Sequence, residues 1–237
     1  MKVEQNILKY INSVVTTAKV AGIDNIIIEP GRVRALDDNN TVILLHTANV
    51  PDMPFGSIGL NRIDIFMARY ALAQTADKFE MEAVVDGPDD NKYARSLTMK
   101  AKGVKIDFRC ANPATIRAPR SLNDAPSCTA SMTADAVLYL SKGMSAMETD
   151  EVRLFGDSSS ISLEMIDING DKLTFDIGDD VASEDPAATD ISFSHKYPVK
   201  LLQTLFKSNH DTPFHISKRG MLRIAVNGLD VYVLPKA

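Results

Sequence analysis

One pattern constrains the fold of this chain more than any other: a helix accompanied by three strands recurs four times in 237 residues. Apolar residues at helical spacing predict helices over about 4–20, 61–74, 133–142 and 198–207. Between the helices, β-type runs are separated by turn sequences such as Pro30-Gly31 and Asn169-Gly170. A single helix-and-strands unit cannot bury its own apolar face, so the units should merge in pairs. The pattern therefore predicts an α+β fold of two domains.

The segment 111–126 interrupts this pattern. It has the sequence ANPATIRAPRSLNDAP, with three prolines and no apolar period. Proline lacks a backbone N–H and restricts the residue before it, which favours an extended segment over a helix or a central strand. We therefore predict a first domain over 1–110, a connector over 111–126 and a second domain over 127–237.

Composition excludes several classes of protein. Hydrophobic residues make up 45% of the chain, which is enough to fill a core. No apolar run approaches the roughly 18 residues of a membrane span. The two cysteines, Cys110 and Cys128, form neither a metal-type spacing nor a disulfide framework. We expect a cytoplasmic protein with no export signal, no membrane contact and no cofactor.

Positive charge is concentrated on the predicted helices. The chain carries a net charge of −5, which argues against a generally basic nucleic-acid binder. The segments 2–20, 61–74, 133–143 and 196–208 nevertheless hold nine basic and three acidic residues, and the remainder holds 17 basic and 28 acidic ones. Helices lining one concave surface would attract a polyanion, which suits sequence-independent contact with DNA phosphates. The alternative is that each lysine face is merely solvated.

The last predicted helix shows this charge pattern most clearly. Pro198 suits a first helical position, because the N–H that it lacks would be unpaired there. Lys196, Lys200 and Lys207 follow one face at helical spacing, opposite an apolar stripe. The segment predicts an amphipathic helix that offers lysines to an anionic partner.

Three segments resemble the DNA sliding clamps, the ring-shaped processivity factors of DNA polymerases. The terminal VYVLPKA resembles the C-terminal strand and tail of proliferating cell nuclear antigen. ANPATIRAP and YPVKLLQTLFK are closer to clamps of T4-type bacteriophages. The order of elements agrees with that family along essentially the whole chain. One departure is that Met1–Val3 leaves little room for the strand that usually precedes the first helix.

This resemblance implies a homotrimer that closes a ring around double-stranded DNA, with its helices lining the channel. Such a ring tethers a replicative DNA polymerase, is loaded by a clamp loader ATPase, and in some phages also serves late-transcription factors. It performs no catalysis, and a phage protein would work in the host bacterial cytoplasm. The implied phosphate contacts are Lys9, Lys19, Arg62, Arg69, Lys142, Lys196, Lys200 and Lys207.

In such rings the subunits join edge strand to edge strand. The strands in the matching places are Val104–Cys110 and Lys172–Ile177. The alternative is that these strands are internal or solvated edges. The implied interface residues are Val104, Lys105, Ile106, Asp107, Phe108 and Arg109, together with Lys172, Leu173, Thr174, Phe175, Asp176 and Ile177.

Sliding clamps also dock short peptides of their partners in an apolar pocket under the connector. The matching positions are Val42, Ile116, Leu122, Leu234 and Pro235. An apolar groove bordered by a flexible strand can accept many partner tails. The alternative is that Ile116 and Leu122 only fix the connector to the core.

Two other functions remain open at this stage. The same fold without a ring would give a monomeric or dimeric processivity factor that lies on one side of DNA. An enzyme such as a metal-dependent nuclease would use carboxylates of the segment 176–190, although a solvated acidic loop explains them more simply. These carboxylates include Asp176, Asp179, Asp180, Glu184 and Asp185.

Overall fold

The computed structural model describes residues 1–157, 160–178, 182–183, 192–207 and 209–236, without the side chains of residues 178, 182 and 183. The described chain forms two compact units, 1–121 and 122–237. Each unit has two helices packed on mainly antiparallel sheet, with one parallel pairing in the first unit, so the predicted α+β class is confirmed. The boundary falls inside the segment 111–126, whose role as a connector stays a prediction.

The first unit consists of two helices and seven strands. Helix α1 spans Gln5–Val20 and α2 spans Ile63–Gln74. The strands are β1 Asn25–Glu29, β2 Arg32–Leu36, β3 Val42–His46, β4 Ser57–Asn61, β5 Glu80–Asp86, β6 Tyr93–Ala101 and β7 Val104–Arg109. Within this unit the strand order is β3-β2-β1-β4-β6-β5, and β7 also pairs with β6.

The first residues of the chain extend this sheet. The Val3 N–H donates to the Met81 carbonyl at 2.8 Å, and the Ala83 N–H donates to the Met1 carbonyl at 2.7 Å. Three residues therefore suffice to pair with β5 before α1 begins. The short N-terminus that distinguishes the sequence from sliding clamps thus forms a β-bridge, Lys2 with Glu82, at the edge of the sheet.

The helices of the first unit cover the core. Ile7, Ile11 and Val14 of α1 are at most 2% exposed, and each such burial contributes about 1.5–3 kcal/mol. The buried Phe66 of α2 meets Phe108 of β7 edge to face, with 5.2 Å between the ring centroids. This contact fixes α2 over the last strand of the unit.

The second unit repeats the scheme with two helices and nine strands in its described part. Helix α3 spans Ala134–Ala146 and α4 spans Val199–Lys207. The strands are β8 Pro126–Ser131, β9 Glu151–Gly156, β10 Ile161–Ile166, β11 Lys172–Gly178, β12 Ala182–Ser183, β13 Phe193–Pro198, β14 Pro213–Ser217, β15 Leu222–Val226 and β16 Leu229–Val233. Within this unit one sheet has the order β12-β8-β14-β15-β16 and the other has the order β11-β10-β9-β13.

The predicted start of the last helix is wrong. Pro198 closes β13, where it lies opposite Glu151, and α4 begins at Val199. Tyr197, which is fully buried, donates from its hydroxyl to the Gly220 carbonyl. Burial of this ring holds the segment extended up to Pro198, and tertiary packing overrides the preference of proline for a first helical turn.

Helices α3 and α4 pack against each other, and the Gln203 amide donates to the Ser141 hydroxyl at 3.0 Å. Among the described residues, no helix combines the length and the apolarity that a membrane crossing requires.

Candidate nucleic-acid interface

Four of the eight predicted phosphate contacts are exposed on helices and have no carboxylate partner among the described residues. They are Lys9 on α1, Lys142 on α3, and Lys200 and Lys207 on α4. Helix α4 keeps Leu202, Leu205 and Phe206 buried on its opposite side. The ammonium groups of these four lysines are therefore available to an anion.

Two other predicted contacts are neutralised by carboxylates. Lys19 at the end of α1 forms an ion pair with Asp64 of α2, with 2.7 Å between Nζ and Oδ1. Lys196 lies on β13 rather than on α4, and its ammonium is 3.3 Å from Glu151. Placing Lys196 on the helix was thus wrong, because α4 begins three residues later. A lysine that is paired in this way attracts phosphate less strongly.

Glu151 also holds the tail of the chain. The Lys236 ammonium donates to Glu151 Oε1 at 2.9 Å, and the Lys236 N–H donates to the Lys196 carbonyl at 2.8 Å. Hydrogen bonds from Lys236 and Lys196 hold the pKa of the Glu151 carboxyl below its ordinary value. This cluster is a fixed part of the second unit.

The two predicted arginines are turned towards the sheet. Arg62, the left-handed cap of α2, has its guanidinium 5.3 Å from the Phe108 ring centroid and donates to the Arg109 carbonyl at 3.2 Å. The guanidinium of Arg69 lies 5.8 Å from the same ring. Such cation–π contacts each contribute about 0.5–1 kcal/mol at exposed sites. Both arginines therefore contact β7, although Arg62 remains exposed.

The strands predicted to join subunits are open edges within their own units. β7 pairs with β6 on one side only, and β11 pairs with β10 on one side only, among the strands described in each unit. Residues alternate between half-buried or buried and exposed along both strands. Phe108 and Ile177 lie in the core, whereas Lys105, Asp107 and Arg109 are exposed, as are Lys172, Thr174 and Asp176. Each edge thus has one apolar and one polar face.

The residues of the predicted peptide pocket are distributed over both units, and the pocket stays a prediction. Val42 is 3% exposed. Ile116 lines a cavity of about 350 Å³ in the first unit, together with polar side chains such as Asp38, Asn61 and Arg117. Leu122 lines a different cavity, of about 80 Å³, in the second unit. Leu234 and Pro235 are half-buried at the end of the chain and line neither cavity.

The cavity at Leu122 has a well-ordered wall. The Ser217 hydroxyl donates to Asp124 Oδ2 at 2.5 Å and accepts the Met221 N–H at 3.0 Å. These bonds fix the segment around Leu122 to the loop between β14 and β15. Met221 and Tyr232 add apolar surface to the same cavity. Sequence analysis missed both, although Tyr232 lies inside the VYVLPKA segment that carried the resemblance.

Other exposed apolar side chains were also missed. Ile65 and Leu72 on α2 are 42% and 57% exposed, and Leu138 and Tyr139 on α3 are 47% and 51% exposed. Sequence periodicity was used only to find the buried apolar stripe of each helix. These four apolar residues lie outside that stripe, and this position could have indicated that they are exposed.

No candidate catalytic cluster emerges from the described residues. Within them no group of three or more His, Cys, Asp and Glu side chains is placed to bind a metal ion. Asp176 accepts a hydrogen bond from the Ser162 hydroxyl at 2.6 Å. Asp179, Asp180, Glu184 and Asp185, the other carboxylates of the nuclease hypothesis, lie outside the described residues.

The fold as a whole is similar to that of solved DNA sliding clamps. A. fulgidus PCNA, in a structure with the C-terminal region of FEN-1, matches with a TM-score of 0.60 and 15% identity over 97% of this chain and 96% of its own. The PCNA2–PCNA3 complex from Sulfolobus tokodaii matches with a TM-score of 0.60 and 12% identity over 95% of each chain. The DNA polymerase sliding clamp from Bacillus subtilis matches all of this chain with a TM-score of 0.65 and 12% identity. The match covers only 64% of that clamp's own length.

No family model and no curated protein sequence matches the chain. At identities of 10–15% the likeness lies in the arrangement of the elements. It covers both units from end to end, and it confirms the fold that the resemblance implied. The chain has the fold of the DNA sliding clamps.

Proposed function

We propose that the protein is a DNA sliding clamp, a processivity factor that encircles duplex DNA and tethers a replicative DNA polymerase. The observation that carries this proposal is the sliding-clamp fold over nearly the full length of the chain. Clamp function requires no catalytic residue.

Contact with DNA rests on the free lysines of the helices. Lys9, Lys142, Lys200 and Lys207 are exposed, whereas the protein as a whole carries a charge of −5. Phosphate contacts of this kind do not depend on base sequence. Exposed charges are screened by salt, and individually weak contacts let a closed ring move along the duplex.

The ring is a homotrimer in which β7 of one copy pairs with β11 of the next. An open strand edge presents unpaired N–H and C=O groups, and addition of a strand satisfies them. Each copy has an open edge of this kind in each of its units, β7 in the first and β11 in the second, and a closed cycle of identical subunits needs two such surfaces on each copy. Clamp chains form a complex with each other in S. tokodaii PCNA2–PCNA3.

Partners dock as short peptides on the second unit. The cavity at Leu122, with Met221 and Tyr232, is a site for an apolar anchor residue. A. fulgidus PCNA binds the C-terminal region of FEN-1, a tail of this general kind. The partners are a replicative polymerase, a clamp loader ATPase and, in a phage, late-transcription factors. Loss of polymerase binding by Leu122→Ala with Tyr232→Ala, with the oligomer intact, would support this site; loss of the oligomer would mean that the contact is structural.

Mass and shape test the ring directly. Native mass spectrometry at micromolar concentration should give three copies, and negative-stain images should show a closed ring. The loaded protein should stay on closed circular DNA and slide off the ends once that DNA is cut into a linear duplex. A stable monomer or dimer that still increases polymerase processivity would replace the ring by a factor that lies on one side of DNA.

A further inference from the structure

The two open strand edges have complementary chemistry, which defines how a second copy docks. This inference rests on the proposed ring and adds the register of its contact. An added strand pairs only with backbone N–H and C=O groups that point away from the sheet.

In β7 the hydrogen bonds fix that direction. The Cys110 N–H donates to the Arg95 carbonyl at 2.9 Å, towards β6. The next N–H, of Ala111, donates to the Gly59 carbonyl at 2.9 Å, on the opposite side. Because direction alternates along a strand, the residues that point their N–H and C=O outward are Arg109, Asp107 and Lys105, of which the Arg109 carbonyl also accepts an N–H of Arg62 at 3.2 Å.

In β11 the turn before the strand gives the same information. The Asp167 N–H donates to the Asp171 carbonyl at 3.1 Å, so Asp171 faces β10. Alternation then directs Lys172, Thr174 and Asp176 outward. A register shift of the β10–β11 pairing at Ile161/Ser162 ends this alternation, and beyond it the Ile177 carbonyl accepts the Thr133 N–H at 3.0 Å.

We propose that the β11 strand of a second copy pairs with β7 in a single antiparallel register. It sets Lys105 opposite Asp176, Asp107 opposite Thr174 and Arg109 opposite Lys172. Lys105 and Asp176 are exposed. Lys105 lies 3.4 Å from Asp107 of its own strand in an exposed pair, and Asp176 has no cationic partner among the described residues. Opposite charges directly across two strands attract each other, so this pair specifies the register.

The neighbouring registers are poorer. A shift of two residues one way sets Asp107 opposite Asp176, and like charges there repel. A shift the other way sets Asp107 opposite Lys172, but it leaves Asp176 unpaired and sets the apolar Phe108 opposite Asp171. In the proposed register Arg109 faces Lys172, and Glu164, which lies 3.9 Å from the Lys172 ammonium and 2.7 Å from the Arg153 guanidinium, only partly offsets that repulsion.

The helix-side faces of the two strands also match. Val104 and Ile106 are half-buried next to the buried Phe108, and Leu173 and Phe175 are half-buried next to the buried Ile177. The proposed register stacks Ile106 on Phe175 and Phe108 on Leu173. Ile106 with Phe175 is an aromatic and β-branched pair, which stabilises a sheet, and Phe108 with Leu173 adds apolar contact.

Exposed apolar residues on the flanking helices continue this surface. Arg62, Ile65, Arg69 and Leu72 share one face of α2, and the two arginines of that face reach over Phe108 of β7. On α3 the Tyr139 ring lies 5.8 Å from the ring of Phe175. Pairing of β7 with β11 brings these two helix faces together and covers Ile65, Leu72, Leu138 and Tyr139. Arg62 and Arg69 therefore belong to the contact between copies and not to the DNA surface.

A charge exchange tests the register. Lys105→Glu and Asp176→Lys should each weaken association of the full-length protein at least tenfold, and the double variant should restore the trimer in native mass spectrometry. The matched control is the exchange Asp107→Lys with Lys172→Glu, whose residues are not opposite each other. Lys172→Glu alone should not weaken association, because it places a carboxylate opposite Arg109, and adding Asp107→Lys should change association by no more than the sum of the two single effects. Circular dichroism melting of each variant confirms that the subunit stays folded.

The outcomes separate this inference from the proposed ring. A wild-type trimer in which the first exchange fails, or in which only the control exchange restores association, overturns the register and leaves the clamp function standing. A wild-type protein that stays monomeric overturns the ring and the register together.

Discussion

The helix layers of the two units differ in how their basic residues are used. In the first unit Lys19 is paired with Asp64, and Arg62 and Arg69 lie over Phe108. In the second unit Lys142 and Lys200, with Lys207, project without a carboxylate partner among the described residues. The two layers have similar folds, yet one uses its cations for its own stability and the other leaves them available.

This difference shows that charge counted along a sequence is not the same as charge offered to a ligand. An arginine over an aromatic ring or a lysine beside a carboxylate keeps its formal charge but already has a partner. We therefore expect α3 and α4 to dominate the attraction of DNA, with Lys9 as the main contribution of the first unit.

The largest effect is expected from removing the ring on which the arginines lie. Phe108 is fully buried, so Phe108→Ala should lower the free energy of unfolding by about 3–5 kcal/mol, as measured by urea denaturation. The matched control is Phe155→Ala in the second unit, where Arg153 lies 4.9 Å from a ring that is only half-buried. Phe155→Ala should lower the free energy of unfolding clearly less than Phe108→Ala. Equal losses would contradict the conclusion that Phe108 contributes more to stability than Phe155.

Charge reversal on α4 should have the next largest effect. Lys200→Glu with Lys207→Glu should weaken binding to duplex DNA roughly tenfold or more and reduce its salt dependence, since each lost phosphate contact lowers the slope by about 0.9. Fluorescence anisotropy over a series of salt concentrations measures both quantities. The comparison variant is Lys19→Glu in the first unit, whose lysine is already paired with Asp64. An equal loss of affinity there would remove the distinction between the two helix layers.

The ion pair between α1 and α2 should contribute much less. Lys19 and Asp64 are 53% and 72% exposed at their side chains, and exposed pairs contribute about 0.2–1 kcal/mol. A double-mutant cycle of Lys19→Ala and Asp64→Ala, followed by thermal unfolding, should give a coupling energy in that range. A coupling near zero would mean that Lys19 is as free as Lys200.

The elements of the fold were predictable because their signals are local. The apolar stripe of α1 and the Asn169-Gly170 turn between β10 and β11 are visible as period and turn chemistry, and the structure confirms both. The start of α4 was not predictable, because burial of Tyr197 in β13 outweighs the local preference of Pro198.

Whether a basic residue of the candidate site is paired or free depends on contacts with residues that are distant in sequence. Asp64 follows Lys19 by 45 residues, and Glu151 precedes Lys196 by the same interval, so no pattern along the chain reveals either pair. The same applies to Val42, whose burial is set by the strands around it. Sequence therefore identified the charged helices but could not show which charges are free.

The smallest effect is expected from Glu151, which holds Lys196 and Lys236 in the second unit. These two lysines lower the pKa of the carboxyl below its ordinary value of 4.5, so its stabilising effect is complete above that pH and is lost as the pH falls through the lower folded-state pKa. Glu151→Gln should therefore lower the melting temperature slightly at pH 7, and the difference from wild type should vanish in acid. Melting curves between pH 7 and pH 2 measure this convergence. A difference that stayed constant over that range would show that the lysines are held by other groups, and that Lys196 is as available to DNA as the lysines of α4.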